Sequence, residues 1–416
     1  MSISNQVTSK KRALVIAPFF SIGGATSRPR FVGSVLAELM PVDLLTSDFD
    51  HGRKERIERR SVPPFDDVVY INTREYRNNV GPGRMLSHLL FAFSAATYFR
   101  RNRDRYDVIY VTAPLNVLAW LVFTLSKRAT KIIDVVDIWP DVLPFSLRMR
   151  RSLAPVFKTW KWFFKSAVFK ADVAIGVSDQ FVAEARGYAR KNGKVRRYYL
   201  GHERFRAATS KQTVFTIAYV GNIGRLYDFD TLLDVLSEDH IRKRMQLFVI
   251  GKGDRQSWLL EELKRRKIRH QFFGVVFDPV QLGTILRSCH VGFNGYFNTT
   301  AAFSYKAGTY LAAGLPLVNS MTGDLQRLVA ERGLGRNYEG GNRPQLSEGL
   351  LHLYRNGTAS AAANCEEFFT TELDSSKIAE DMKQFFTENL FGVDELQPEP
   401  VIREDMVDAL SQRNQS

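Results

Sequence analysis

Short apolar runs alternate with longer amphipathic stretches along most of the chain. Arg12 to Phe19, RALVIAPF, is a brief run rich in Val, Ile and Leu, the pattern of a buried strand. It leads into a glycine-containing loop, SIGGATSRPR; FVGSVLAELM then reads as a helix and VDLLTS as a second strand. Such a βαβ unit implies a parallel sheet with helices on its faces. The alternation continues through DVVYIN (strand), RMLSHLLFAFSAATYFRRN (helix), DVIYVTA (strand), VLAWLVFTLSKR (helix) and KIIDVVDI (strand). A long helical stretch to about Lys170 and the strand ADVAIGVS complete this half. A second series begins near Thr213. Its strands are TIAYVGNIG, MQLFVIGKGD, HQFFGVV, HVGFNGY, LPLVNS and LGRNYE, with DFDTLLDVLSED, WLLEELKRR and DPVQLGTILRSC as helices. Arg196 to Gln212 is polar and basic with little periodicity, and reads as the join. SSKIAEDMKQFF is an amphipathic helix near the end, and the chain from about Gln397 is polar and expected to lack order. The expected organisation is an α/β protein with an N-terminal tail (1–11), two doubly wound domains (12–200 and 201–388) and a C-terminal tail (389–416).

Length and composition agree with this. A chain of 416 residues is too long for one ordinary core, and 44% apolar with 25% charged residues is a globular composition. Two cysteines, Cys289 and Cys365, offer neither a metal spacing nor a disulfide framework, which suits a reducing compartment. The apolar run after Lys11 and Arg12 ends at Pro18, short of a signal peptide. Val108 to Leu125 is the most membrane-like stretch. Thr112, Pro114 and Asn116 interrupt it, so it reads as strand, loop and helix, where a span needs about 20 apolar residues. A cytoplasmic protein is expected.

The formal net charge is +14, which suits an anionic partner. No nucleic-acid-binding module is recognisable, so nucleic acid is not an expected partner. The charge concentrates in Arg148 to Lys170, RMRRSLAPVFKTWKWFFKSAVFK, with seven Lys or Arg and no acid. Phe157, Trp160, Phe163 and Phe164 recur there at helical spacing. Cations beside aromatics favour an anionic membrane interface, so Lys158, Trp160, Lys161, Trp162 and Lys165 are candidates for contact with a membrane surface or acceptor. The competing reading is a helix with its rings on the sheet and a basic outer face. The basic run Arg100 to Arg105 would extend the same patch.

Glycines follow strands at Gly23, Gly24, Gly221, Gly224, Gly251 and Gly253. In open parallel sheets ligands bind beyond the carboxyl ends of the strands, where glycines let backbone N–H groups approach a phosphate. Any one of these glycines is explained by turn chemistry; together they favour nucleotide handling. Neither GxGxxG nor GxxxxGK[ST] occurs, so a dehydrogenase fingerprint and a P-loop are unsupported.

YVGNIGRLYDFDTLLDVL, VIGKGD, ADVAIGVSDQF and KAGTYLAAGLPLVNSMTGDL resemble, in this order and spacing, the retaining glycosyltransferases of family 4. DIWPDVLPF resembles the DxWP-type loop of the polysaccharide-assembly transferases within that group. The resemblance spans residues 12 to 388. It implies a GT-B fold, two Rossmann-like doubly wound domains facing across a cleft. It also implies metal-independent catalysis, no cofactor, and transfer from a nucleoside-diphosphate sugar with retention. The acceptor would be a saccharide or lipid-linked saccharide in capsule, exopolysaccharide or O-antigen synthesis, with the enzyme peripheral at the inner membrane face.

The family's site residues carry over unevenly. Its diphosphate-binding Lys-Gly falls on Tyr227-Asp228, and Arg225 is the substitute cation, since its fork bonds phosphate oxygens bidentately. Its two glutamates fall on Ala302 and Thr309, while Lys306 between them is kept. Thr322, Gly323 and Asp324 match the loop that meets the diphosphate, and a His-Asp of the first domain falls on Val136-Asp137. The expected site is therefore Asp137, Arg225 and Lys306 for chemistry. Gly23, Gly24, Gly221, Asn222, Gly224, Gly251, Thr309, Thr322, Gly323 and Asp324 would hold the donor. Arg28 and Arg30 are further cleft-side candidates, Asp134 reads as a paired structural carboxylate, and Asp141 as a helix cap. Two rival readings are a catalytically weak partner subunit of the same fold, supported by the missing glutamates and lysine, and a nucleotide-sugar epimerase.

Overall fold

The computed structural model describes residues 11–391 except 19, 21–26, 78–80, 141–146, 207–208 and 298–301. The apolar runs form strands and the amphipathic stretches form helices. In the first half these are β1 (Ala13–Ile16), α1 (Arg28–Ala37), β2 (Val42–Ser47), the hairpin β3 (Phe49–Asp50) and β4 (Glu55–Arg56), and β5 (Asp67–Ile71). They continue as α2 (Pro82–Asn102), β6 (Val108–Ala113), α3 (Asn116–Leu125), β7 (Thr130–Val135), α4 (Leu147–Ser152) and α5 (Ala154–Lys170). β8 (Val173–Gly176), α6 (Asp179–Tyr188) and β9 (Lys194–Arg197) complete the half. Seven strands pair in parallel in the order β5-β2-β1-β6-β7-β8-β9. The membrane-like stretch is β6, a loop and α3, and no helix among the described residues is long and apolar enough to cross a membrane.

The second half contains β10 (Phe215–Val220), α7 (Phe229–Leu236), α8 (Asp239–Arg242), β11 (Met245–Ile250), α9 (Gln256–Arg265) and β12 (His270–Gly274). α10 (Pro279–Ser288), β13 (Val291–Asn294), α11 (Tyr305–Ala312), β14 (Leu317–Asn319), α12 (Asp324–Glu331) and β15 (Gly335–Asn337) follow. The chain then runs through α13 (Arg343–Asn356), α14 (Ala359–Phe368) and α15 (Ser375–Leu390). Six strands pair in parallel in the order β12-β11-β10-β13-β14-β15. Each sheet is covered on both faces, which is why its strands read as unbroken apolar runs. In the first half α2, α3, α5 and α6 cover one face, while α1 and α15 cover the other.

Three features differ from the sequence pattern. The single basic helix is two, α4 and α5, broken at Leu153, with Pro155 in the first turn of α5, where its missing N–H costs nothing. β9 occupies the start of the polar stretch read as the join. Helix α15 follows the second half in sequence but sets Ile378, Met382 and Phe386 on the first sheet's core. Two crossings between the halves run side by side: His202 N–H donates to Leu373 O at 2.8 Å, and Ser375 N–H to His202 O at 3.0 Å.

Candidate functional site

In each sheet the strand order reverses beside its first strand, between β1 and β6 and between β10 and β13, and ligands of such folds bind outside these switch points. The carboxyl ends of the two sheets face each other. Asp324, at the start of α12, accepts from Asp179 N–H at 2.5 Å and Gln180 N–H at 3.3 Å, the first amides of α6. Around it Arg327 pairs with Asp179 at 2.6 Å, and Arg197 with Asp179 and Glu372, both at 2.8 Å. Burial raises the pKa of Asp324 against these donors. This expected donor residue is thus engaged in joining the halves, its carboxylate meeting the positive end of a helix.

At the second switch point the loop after β10 lies on the loop after β13, with a bridge between Tyr227 and Tyr296 and a bond from Phe297 N–H to Leu226 O of 3.0 Å. Gly221 and Gly251 both take positive φ, 131° and 134°, and a Cβ on Gly251 would collide with the Gly221 carbonyl. Their first requirement is therefore the stacking of two backbone turns. Asn222 is exposed and Gly224 is buried.

Lys306 lies directly beneath this double loop. A Cβ on Gly221 would touch its side chain at 2.9 Å. Part of its stem reaches solvent, but Nζ is buried and has no hydrogen-bond partner among the described residues. The rings of Tyr227, Tyr296 and Tyr219 surround Nζ at 3.6, 4.5 and 4.6 Å from their centroids. Burial without a counter-charge pushes the Lys306 pKa well below its ordinary value. The lysine is held by its helix. Ser304 caps α11 by accepting from Ala307 N–H and donates to Asn294, which begins a chain of amide contacts, Asn294–Asn319–Asn337, each 2.8 Å, across the ends of β13, β14 and β15. The buried Tyr310 hydroxyl donates to Phe293 O at 3.1 Å and accepts from Val220 N–H at 2.9 Å. Thr309 Oγ1 turns back to Tyr305 O at 3.2 Å. Arg225 is exposed and makes no ion pair among the described residues; Thr322 and Gly323 are exposed beside α12. The structure therefore gathers Gly221, Gly224, Gly251, Arg225 and Lys306 at one switch point. Asp324 is directed to α6. Gly23, Gly24 and Asp141 lie outside the described residues.

Across from this, polar groups cluster at the carboxyl ends of β2, β5 and β7. Asp137 accepts from Ile138 N–H at 3.1 Å and Trp139 Nε1–H at 3.0 Å, and burial raises its pKa. The Arg84 guanidinium lies 4.8 Å from the Trp139 ring, and its Nε donates to His88 Nε2 at 3.3 Å. His88 stacks on Trp139, and His51 bonds the Tyr76 hydroxyl at 2.6 Å. Sequence reasoning missed Arg84, His88, His51 and Tyr76. The i,i+4 spacing of Arg84 and His88 at the start of an aromatic helix was the available signal. Arg28, read as cleft-facing, is buried instead, with Nε 2.8 Å from Asp134 Oδ2.

Two buried imidazoles and one half-buried one make stability depend on acid. Burial and nearby cations lower the pKa of His88 to about 3 and of His51 to about 4, and burial alone lowers His202 to about 4. The unfolded chain binds protons from about pH 6.5 downward and the native state refuses them, so stability is complete above that pH and falls as pH drops toward 4. Thermal melts between about pH 7 and 5 should show a falling Tm, with a shallower fall in His88→Gln. Parallel curves would remove His88 from the effect.

On α5, Phe164, Ala167 and Val168 pack on the core, while Lys158, Trp162, Lys165 and Phe169 face outward. Trp160 rests half-buried against Trp139, and Lys161 pairs with Glu184 at 3.2 Å. The helix thus sets one face on the core and turns a basic face outward, and that outer face is the candidate membrane contact. Lys158→Glu with Lys165→Glu should reduce sedimentation with anionic vesicles by about tenfold, with an unchanged melting curve; undiminished binding counts against a membrane role for this face.

Residues 214–356, most of the second half, match the model of the family described as Glycosyl transferases group 1. Solved structures extend the likeness over both halves. Sucrose-phosphate synthase (tll1590) from Thermosynechococcus elongatus superposes with TM-score 0.65 at 17% identity, covering 91% of this chain and 98% of that one. The fold is GT-B. HepE (Alr3699) of Anabaena, solved in complex with UDP, gives TM-score 0.64 at 15% identity over 91% of this chain and 100% of its own. WaaG, a glycosyltransferase involved in lipopolysaccharide biosynthesis, gives 0.60 at 14% over 90% and 99%. No curated protein sequence matches the chain. The GT-B arrangement accounts for the facing strand ends.

Proposed function

We propose that this GT-B protein is a metal-independent, retaining glycosyltransferase. It would bind a nucleoside-diphosphate sugar against the second sheet and transfer the sugar to an acceptor hydroxyl held by the first. The observation that carries this reading is Lys306, a buried amine without a counter-charge at the second switch point. A folded protein that encloses an unpaired lysine there lacks an anion, and a diphosphate supplies one. The family's diphosphate lysine is absent at position 227, yet Tyr227 sets its ring 3.6 Å from Lys306 Nζ, so a cation still lies beside that position. Uridine is the first base to test, since HepE is solved with UDP.

In the proposed reaction the bond from the anomeric carbon to the diphosphate oxygen breaks, and the acceptor oxygen bonds the same face of that carbon. The acceptor proton passes to the departing phosphate. Lys306 and Arg225 would stabilise the charge that develops on the leaving oxygen, and closure of the halves would keep water from the donor. Asp137 would position the acceptor hydroxyl, its carboxylate fixed by the two N–H donors. The acceptor we favour is a lipid-linked saccharide of capsule, exopolysaccharide or O-antigen assembly, met at the inner membrane face.

Hydrolysis of UDP-, GDP- and dTDP-sugars, alone and with candidate acceptors, tests the reading; turnover of one donor is expected. Nucleotide binding with no turnover of any donor would favour the non-catalytic partner, whose support is Ala302 and Thr309 in place of carboxylates. Arg225→Ala should lower kcat/KM by about 2–4 kcal/mol of transition-state stabilisation, mostly in kcat. Unchanged kinetics would take Arg225 out of the site.

A further inference from the structure

A cavity of about 400 Å³ lies in the first half between α2, α3 and α5, immediately behind the cluster that contains Asp137. Its walls include Leu89, Ala92, Leu118, Val156, Trp160 and Phe163. The polar groups on its walls are largely spent: Asn116 Nδ2 donates to Trp139 O at 3.2 Å and Thr159 Oγ1 to Pro155 O at 3.0 Å. Asn116 Oδ1 is the exception, an acceptor that one ordered water would satisfy. Such walls select a hydrocarbon over a sugar or a nucleotide.

The surroundings point to a hydrocarbon that carries an anionic head. Apolar side chains continue outward from the cavity onto the surface, with Leu90 45% and Phe93 56% exposed on α2, and Val156 56% and Trp162 52% exposed on α5. Monomeric proteins seldom leave such a patch uncovered without a partner. The same helix exposes Lys158 and Lys165, and α4 with α5 carries cations and no acid. At the inner end, Arg84 contacts both Trp139 and His88, two lining residues, while the far edge of the Trp139 indole donates to Asp137. Apolar walls, a cation at the inner edge and a carboxylate just beyond it match, in sequence, a hydrocarbon chain, a phosphate and a sugar hydroxyl.

We propose that this cavity holds the hydrocarbon chain of the acceptor, a phosphate-bearing lipid, with its phosphate at Arg84 and its saccharide toward Asp137. The assignment rests on the transferase reading only for the word acceptor; lipid binding is measured without any donor.

Trp139 and Trp160 line the cavity and report on it. Titration of the full-length protein with farnesyl monophosphate should change tryptophan fluorescence saturably, and inorganic phosphate should not. Val156→Glu, which sets an anion on the cavity wall against the lipid's chain and phosphate, and Thr159→Phe, which adds bulk to that wall, should each weaken farnesyl phosphate by about tenfold or more. Both positions are exposed, so the variants should melt like the parent and bind UDP as it does. Equal responses to farnesyl and inorganic phosphate, or variants that bind the lipid like the parent, would overturn the proposal. So would displacement of farnesyl phosphate by phosphatidylglycerol vesicles at equal lipid concentration, which would give the cavity to bulk membrane lipid. If cavity-dependent lipid binding is found and no donor is hydrolysed, the lipid site stands and the transferase reading falls.

Discussion

Arg28→Leu is expected to destabilise the protein by about 3–5 kcal/mol, read from the midpoint of urea unfolding near neutral pH. The guanidinium is 5% exposed and its partner Asp134 is fully buried at the carboxyl end of β7. Arg28 also donates to Tyr199 O at 3.3 Å, and the Tyr110 hydroxyl donates to Asp134 at 2.6 Å. One arginine thus links α1 to β7 and to the chain leaving β9. Removing it leaves a carboxylate in a desolvated site with one hydroxyl donor, and breaking such a pair costs more than deleting both members. Arg28→Leu with Asp134→Leu should therefore recover part of the loss. A cost below about 1 kcal/mol for the single variant would mean that the pair is not structural.

Lys306→Met should separate binding from stability. The substitution keeps length and bulk and removes an amine that is buried without a partner, so unfolding free energy should stay level or rise by about 1–2 kcal/mol. The loss of the contacts to the three tyrosine rings is the opposing effect, and it is the smaller one while no anion is bound. Affinity for the donor nucleotide should fall by about 2–4 kcal/mol, roughly 30- to 1,000-fold. Stabilisation bought with lost binding is the mark of a strained functional residue. A variant that is markedly less stable, with nucleotide affinity intact, would make Lys306 a packing residue.

Much of the architecture is legible in local pattern, because a strand buried on both faces is mostly apolar along its length. RALVIAPF and MQLFVIGKGD announce themselves in this way. β9 does not: Lys194–Arg197 is a polar edge strand at the sheet's rim, and its pattern matches the loop that follows it. The break at Leu153 hides in continuous helical periodicity, and only Pro155 marks it. The place of α15 is not local information at all, since its apolar face would fit either domain. Among candidate site residues, Lys306 could be named, but not its surroundings, which require Tyr296 after β13 to meet Tyr219 and Tyr227 at the end of β10 and in its loop. Asp324 shows the converse: a loop position typical of donor contact is committed to α6 because the facing domain presents two free amides. The cluster of His51, Tyr76, Arg84 and His88 was legible only in part: the spacing of Arg84 and His88 on α2 was local, but His51 and Tyr76 reach them from two other segments at the same end of the sheet.

The most direct test of the buried lysine is its proton. UDP titrated at about pH 8, where a diphosphate is already fully ionised, in two buffers of different ionisation enthalpy, gives the protons taken up on binding. The account predicts binding with net uptake, as the anion draws Lys306 back toward its ordinary pKa, and the disappearance of that uptake in Lys306→Met. Failure of UDP and the other nucleoside diphosphates to bind, or equal affinity and equal proton uptake in the variant, would contradict it.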